Sequence, residues 1–417
     1  MIIKPTARQL AWQSREFGIF LHFGLNTFHG KEWSDGTLPA SSFDPGELDA
    51  REWADAAVEL GADYVVLTAK HHDGFCLWPT QTTDYSVASS PWRDGRGDVV
   101  AELAEACREV GLGLGLYLSP WDRNAECYPD PERYSDFYVR QLTELCTRYG
   151  PLVELWFDGA GSEGYEYDWK RIMAVVNEHQ PDAMVFNMGA PTIRWVGNEN
   201  GLAADPVEYV VRETQLSNYT IVTIDSGGSL YLPPECDVSV RRGWFWHPED
   251  EPKDVEHLLA IHYGSIGMGA NLLLNIPPDR SGRLDSRDLA VLREWRAELD
   301  RRFAEPIEAE LVRTDCGWEA RFGREVTIDH LLLREELGDG QRITAHRLLD
   351  GGETVADGLT VGAGRLHAFQ PRVVRSLAVE ADGDVPRLAS VTAYRTGHTN
   401  IPQPPAGYLA PTTPPES

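Results

Sequence analysis

The 417-residue sequence predicts a (β/α)8-like barrel followed by a C-terminal antiparallel β-sandwich, and three observations carry that expectation. From the start to about residue 303, apolar strand-like runs alternate with helical patterns, the order that builds parallel α/β sheets. The run Tyr64-Val65-Val66-Leu67-Thr68 has the β-branched and aromatic make-up of a buried strand, yet it leads into Lys70-His71-His72-Asp73-Gly74. Polar groups at the carboxyl end of a buried strand mark the catalytic face of such a barrel. After Phe303 the pattern changes to short alternating runs between Gly and Asp turns, the spacing of an antiparallel sandwich.

The elements follow in order. Residues 17–24 read as the first strand, and 47–60 as a helix with Trp53, Ala57 and Leu60 at helical spacing and Gly61 ending it. Strand 63–68 comes next, then helix 99–110 stopped by Gly111, and strand 114–118. Helix 132–149, closed by Gly150, leads to strand 152–157; helix 167–179 precedes strand 183–186. Strand-like pieces near 193–197 and 235–240 follow, then helix 253–266, strand 271–275 and a last helix over 285–303. Eight strands give a barrel over residues 1–303, a sandwich over 304–400 and a Pro/Thr-rich, frayed tail over 401–417. In the second unit the runs 326–328, 331–333, 343–345 and 373–377 read as strands. A doubly wound nucleotide-binding sheet is the competing architecture. It is disfavoured because the glycines at 111, 113 and 115 lie in a strand and lack the G-x-G-x-x-G spacing at a helix start.

Composition narrows the function. The formal charge of −27 argues against nucleic acid and against anionic membrane surfaces as partners, since both require clustered Lys and Arg. Six scattered cysteines form no C-x-x-C pair, so neither a zinc cluster nor a disulfide framework is indicated. No charged segment followed by an apolar stretch opens the chain, and no 18-residue apolar run occurs. That reads as a cytoplasmic chain, although a secreted chain trimmed of its leader reads the same. Thirteen Trp and fifteen Tyr leave room for flat aromatic faces against sugar rings.

Several strand ends carry polar or aromatic groups that a core would not place there: His22, Glu32-Trp33, His71-His72, Tyr117, and Trp156-Phe157-Asp158-Gly159. Arg194 opens another such segment, ending in Asn198-Glu199-Asn200-Gly201. In a closed barrel these ends converge on one mouth. Asp158 follows a largely apolar strand and precedes a glycine that turns the backbone away, leaving its carboxylate accessible. Glu199 is its best partner. Read alone, each acid has a bland alternative, a turn Asp capping its loop or a solvated loop Glu, and one of the two adjacent histidines fits a satisfied structural role. Carboxylates, histidines and tryptophans without a phosphate loop or a Ser-His-Asp elbow point to glycoside chemistry, for which a carboxylate pair suffices. A metal-dependent hydrolase using His71, His72, Asp73 and Asp158 is a rival, and a catalytically silent sugar-binding protein is another.

At these residues the chain resembles a known family. F-G-I-F-L-H-F-G, K-E-W, Y-V-V-L-T-A-K-H-H-D-G-F-C-L-W, L-Y-L-S-P-W-D, E-L-W-F-D-G and N-L-L-L-N-I-P-P-D are similar to motifs of the α-L-fucosidases of glycoside hydrolase family 29, in family order over about residues 12–303. The resemblance implies a barrel with a C-terminal β-sandwich, no metal and no cofactor. It implies a retaining double displacement, with Asp158 as nucleophile. It assigns His22, Glu32, Trp33, His71, His72, Tyr117 and Trp156 to the fucose hydroxyls or ring, with Arg194 and Trp244 as additional pocket residues. Residues 233–239 and Arg242-Gly243-Trp244-Phe245 resemble the branch that cleaves α-1,3 and α-1,4 linkages on branched glycans. Glu199 is placed as acid/base there, with Glu235 in reserve. Glu199 then needs a pKa raised by burial or by the Asp158 charge.

Overall fold

Residues 3–217, 220–223, 228–408 and 410 are described by a computed structural model. Eight strands form the first sheet: β1 (Phe17–Leu21), β2 (Tyr64–Lys70), β3 (Gly113–Leu118), β4 (Leu152–Trp156), β5 (Met184–Phe186), β6 (Arg194–Trp195), β7 (Pro234–Ser239) and β8 (Asn271–Asn275). The strands run parallel in the order β5-β4-β3-β2-β1-β8-β7-β6, and a parallel bridge from Phe186 to Ile193 joins the two ends into a barrel. All eight are where the sequence places them.

Helices cover the outside: α1 (Ala7–Gln13), α2 (Leu25–His29), α3 (Ala50–Glu59), α4 (Val99–Val110), α5 (Pro131–Arg148), α6 (Trp169–His179), α7 (Val255–Gly264) and α8 (Ser286–Phe303). From α3 to α8 every helix begins at an aspartate, at 49, 98, 130, 168, 254 and 285, whose carboxylate accepts a backbone N–H of the first turn. Part of the acidic excess therefore serves helix N-termini, where the unpaired amides and the dipole favour negative charge.

Strand alternation sorts the side chains into two layers. Phe17, Ile19, Leu21, Val65, Leu67, Leu116 and Leu155 point out and pack with the helices. Phe20, Tyr64, Val66, Tyr117, Trp156, Met184, Phe186, Trp195 and Leu273 fill the lumen, with Trp12 of α1 joining them. Gly18 makes room for this filling, since a Cβ there would overlap the Tyr64 ring. Two buried carboxylates sit among these rings. Glu154 accepts the Trp12 indole at 3.0 Å, while Glu235 accepts the Tyr64 hydroxyl at 2.6 Å and the Trp156 indole at 3.0 Å. Burial pushes both acids up; the nearby Glu235 raises Glu154 further, while hydrogen bonding to Tyr64, Glu154 and Trp156 pulls Glu235 back.

The second unit is one antiparallel sheet of β9 (Ile307–Glu308), β10 (Glu310–Arg313), β11 (Gly317–Glu335), β12 (Ile343–Asp350), β13 (Glu353–Gly358), β14 (Arg365–Gly383) and β15 (Leu388–Tyr394). The two 19-residue strands, β11 and β14, pair along their length with register shifts. One of these, between Ile328 and His330, switches the inward face from even to odd positions. Ala320, Phe322, Ile328, Leu331 and Leu333 consequently share a single core, around which the sheet curls as a sandwich. The same shift makes 326–328 and 331–333 look like separate strands in the sequence, although both belong to β11. Among the described residues no helix is long and apolar enough to cross a membrane. Of the expected tail, residues 409 and 411–417 lie outside the described residues; Tyr408 and Ala410 contact the barrel.

Candidate active site

The mouth of the barrel is built where β1, β2, β3, β4 and β8 deliver their carboxyl ends. Asp158, two residues past β4, is 25% exposed at its side chain. It is held from three sides: Tyr117 donates its hydroxyl to Oδ2 at 3.0 Å, Ala160 donates its N–H to Oδ1 at 2.8 Å, and His72 Nε2 lies 3.6 Å from Oδ2. A carboxylate so fixed has one orientation, which suits attack on a carbon.

The two adjacent histidines both reach this mouth. The chain leaves β2 in a tight turn in which Gly74 has φ 85° and donates to the His71 carbonyl at 3.0 Å. The rings end with centroids 4.2 Å apart. His72 Nδ1 pairs with the Ser119 hydroxyl at 2.7 Å, and Trp33 and Trp121 stand 5.3 and 5.2 Å from its ring. His71 stacks along Tyr117 and meets His22 and Phe245, with its buried Nδ1 lacking a hydrogen-bond partner. His22 Nδ1 pairs with Asn275 Oδ1 at 2.9 Å. Burial lowers all three: His22 to about 3, His72 to about 4, and His71 well below the ordinary range. They are neutral imidazoles at pH 7; with Nδ1 of His22 on Asn275 and Nδ1 of His72 on Ser119, each of these two rings keeps Nε2 for another partner.

Glu32 tethers the loop that brings Trp244. Its carboxylate accepts the Trp244 N–H at 2.8 Å and the Phe245 N–H at 3.3 Å, and a Cβ at Gly243 would overlap it. Asn275 donates to the Trp244 carbonyl at 2.8 Å, so Trp244 is gripped from the loop after α2 and from the end of β8, and its ring lies 4.9 Å from His22. Trp244 in turn hydrogen-bonds Glu199. Burial first, then the Asp158 charge, raises Glu199 to about 7. Glu32 also reaches about 7, through burial against the pull of the two N–H groups. The direction of the Glu199 shift is the one that an acid/base at this position would need, and Asp158 is one of its causes.

Two sequence expectations need correction. Arg194 opens β6 at the amino end of the strand, and its Nη1 and Nη2 donate to the Trp195 and Glu208 carbonyls at 3.2 and 2.8 Å. Its side chain belongs to the wall of the barrel, because the strand's direction puts residue 194 away from the mouth. Glu235 is fully buried in the lumen with both oxygens committed to Tyr64 and Trp156, so it cannot meet a leaving-group oxygen. Trp156 itself is 5% exposed, stacks on Phe186 at 3.7 Å and forms the floor of the pocket.

Asn275, which orients His22 and the Trp244 loop together, escaped the sequence reading. Its only signal was a second amide at the end of the apolar run 271–275. The run H-H-D-G-F-C-L-W also divides: Phe75, Cys76, Leu77 and Trp78 are buried under the helices, with the Trp78 indole on Glu144 at 2.7 Å. Among the described residues, no group of three or more His, Cys, Asp or Glu is arranged to hold a metal ion.

A parallel barrel whose mouth joins one fixed carboxylate, one raised carboxyl, neutral imidazoles and tryptophan faces defines a glycoside hydrolase. The family profile "Alpha-L-fucosidase" matches residues 4–299. "Putative alpha-L-fucosidase 1" of Oryza sativa subsp. japonica is 38% identical over 424 residues, covering 91% of this chain and 82% of that protein. "Alpha-L-fucosidase 1" of Arabidopsis thaliana is 46% identical over 300 residues, 70% of this chain, and this match spans only 59% of the Arabidopsis protein. A crystal structure of a putative alpha-L-fucosidase from Bacteroides ovatus superposes with a TM-score of 0.89 at 39% identity, covering 95% of this chain and 75% of that one. A Ruminococcus gnavus GH29 fucosidase in complex with fucose superposes with a TM-score of 0.82 at 28% identity, covering 94% and 95%. The chain belongs to the alpha-L-fucosidase family, glycoside hydrolase family 29.

Proposed function

We propose that the protein is a retaining exo-α-L-fucosidase that removes terminal α-1,3- and α-1,4-linked fucose from branched oligosaccharides or glycoconjugates. The observation that carries this reading is an acid pair that shares one field: Asp158 is clamped by Tyr117, Ala160 and His72, and its charge is, after burial, the next cause that raises Glu199. Fucose as the bound sugar is supported by the fucose complex of the Ruminococcus gnavus relative. The neutral imidazoles of His22, His71 and His72 suit three hydroxyls, and Trp33, Trp156 and Trp244 offer apolar faces to the ring and its methyl group.

In the first step an Asp158 oxygen bonds to the anomeric carbon as its bond to the leaving oxygen breaks, and Glu199 gives that oxygen its proton. Carboxylates around the mouth favour the positive charge that develops on the sugar. Once Asp158 is an ester its charge is gone, so one of the causes raising Glu199 disappears. Glu199, now the conjugate base, takes a proton from water as the water oxygen attacks the anomeric carbon and the Asp158 bond breaks. Free fucose leaves with both groups restored. The linkage assignment rests on the resemblance of residues 233–239 and 242–245 to one family branch.

The test is a panel of α-1,2, α-1,3, α-1,4 and α-1,6 fucosylated oligosaccharides, with the first-formed anomer of released fucose read by proton NMR. The proposal expects α-fucose first, from α-1,3 and α-1,4 substrates. β-Fucose first would refute retention, preference for α-1,2 or α-1,6 would refute the branch, and binding of fucose without any turnover would favour a silent sugar-binding protein.

A further inference from the structure

The C-terminal segment returns from the second unit to the barrel, where Tyr408 meets His257 and Lys253 and Ala410 meets the loop that carries Glu199. The Tyr408 ring stands edge-on to His257 of α7 with centroids 4.5 Å apart. Lys253 Nζ lies 5.1 Å from the same ring, while that ammonium donates to the Ser239 and Arg241 carbonyls at 2.6 and 2.8 Å, just past the end of β7. Ala410 donates its N–H to Asn200 Oδ1 at 2.7 Å. The chain bends into this position through a turn in which Tyr408 N–H reaches the Pro405 carbonyl at 3.0 Å.

The receiving loop is a small closed unit. Asn198 Oδ1 accepts the Asn200 N–H at 3.0 Å, and Asn198 Nδ2 donates to the Leu202 carbonyl at 2.8 Å. Gly201 lies against Val238 and Ile261, where a Cβ would press on both. Residue 200 thus hands its side chain to the returning segment, next to Glu199.

We propose that Tyr408 and Ala410 of the C-terminal segment form a strap that positions the acid/base loop, with Ala410 holding Asn200 and Tyr408 shielding the outer side of the turn from water. This inference rests on Glu199 being the acid/base. The ionisable groups that bear on Glu199 are Asp158 and Glu32, with Asp237 and Tyr408 feeling its charge in return, and Trp244 hydrogen-bonds it. Tyr408 also faces Asp250 and Arg242. Because burial is the leading cause of the raised Glu199, admitting water at the strap lowers that acid toward its ordinary range. The strap therefore acts on the reaction through the proton donor, without touching the sugar.

The experiment compares the parent chain with Tyr408→Ala, Tyr408→Phe and a chain ending at Asn400, using phenyl and p-nitrophenyl α-L-fucosides as poor and good leaving groups. In Tyr408→Ala and the shortened chain, the basic limb of kcat/KM on the phenyl substrate should move down by about 1 pH unit, with about a 5-fold loss at pH 7. The p-nitrophenyl substrate should change by about 2-fold or less, because its leaving group needs little protonation. Tyr408→Phe keeps the ring and should keep the parent profile. Should the shortened chain fail to fold, Tyr408→Ala carries the same readout. An unmoved basic limb in folded Tyr408→Ala, or equal losses on both substrates, overturns the strap. Glu199→Gln run beside them separates the two ideas: if it fails to discriminate between the substrates, the acid/base reading falls, whereas discrimination by Glu199→Gln with a parent-like Tyr408→Ala refutes the strap alone.

Discussion

Removing the Asp158 charge should make Glu199 a stronger acid, and the size of the change can be bounded. Glu199 rises from 4.5 to about 7, with burial first among the causes and Asp158 second. Asp158 supplies less than burial does, and the Trp244 hydrogen bond opposes both, so Asp158→Asn should lower Glu199 by roughly 1 unit. At pH 7 the protonated fraction would fall from about one half to about one tenth. The sign follows from like charges: an anion beside a carboxyl favours its protonated form, so neutralising the anion releases the proton at lower pH. The assay is a titration of the Glu199 carboxyl by carbon NMR with labelled glutamate, assigned through Glu199→Gln, in parent and Asp158→Asn. The asparagine is nearly isosteric and retains an oxygen to accept from Tyr117 or Ala160. An unchanged or raised Glu199 would show that the two carboxyls do not share one field, and the acid-to-base switch would lose its physical cause.

Tyr117→Phe removes the hydroxyl on Asp158 Oδ2 and should reduce kcat by about 10- to 100-fold with little change in KM, the cost of one hydrogen bond to a charged group. Equal kcat in steady-state assays would deny Tyr117 a part in holding the nucleophile. Glu235→Ala should lower the denaturant-derived stability by about 2 kcal/mol or more, because Tyr64 and Trp156 lose their buried acceptor, and it should affect good and poor leaving groups alike. A selective loss on poor leaving groups would restore Glu235 as an acid/base. Gly18→Ala should cost about 1–3 kcal/mol in the same unfolding measurement, since the added methyl meets the Tyr64 ring inside the lumen.

Strand and helix positions in the barrel were legible because each strand is short, apolar and punctuated by a glycine or an aspartate at the next helix, as at Gly111 and Asp98. The second unit was harder to read. There a β-bulge at 328–330 reverses which parity faces the core, so a pattern of period two breaks inside one continuous strand. At the site, residues leaving strand ends on the β1–β4 side were legible from chemistry out of place in apolar surroundings. Arg194 and Glu235 misled for one reason: both lie at the amino ends of strands, and a flat list of polar residues does not distinguish the two ends of a two-residue strand or a lumen acid from a mouth acid. Asn275 stayed hidden because an amide that positions others carries no charge of its own. The strap was invisible, since a Pro-rich tail gives no periodic pattern to show where it docks.

The central claim is that Asp158 bonds to the sugar while Glu199 serves the leaving group. Incubation with a 2-deoxy-2-fluoro-α-L-fucosyl fluoride, which slows breakdown of a glycosyl ester, followed by peptide mass mapping, tests it most directly. The account predicts one added fluorofucosyl group on the peptide containing Asp158, and none in Asp158→Ala. A label on Glu199 or another carboxylate, or full activity with no label in the parent, would contradict it.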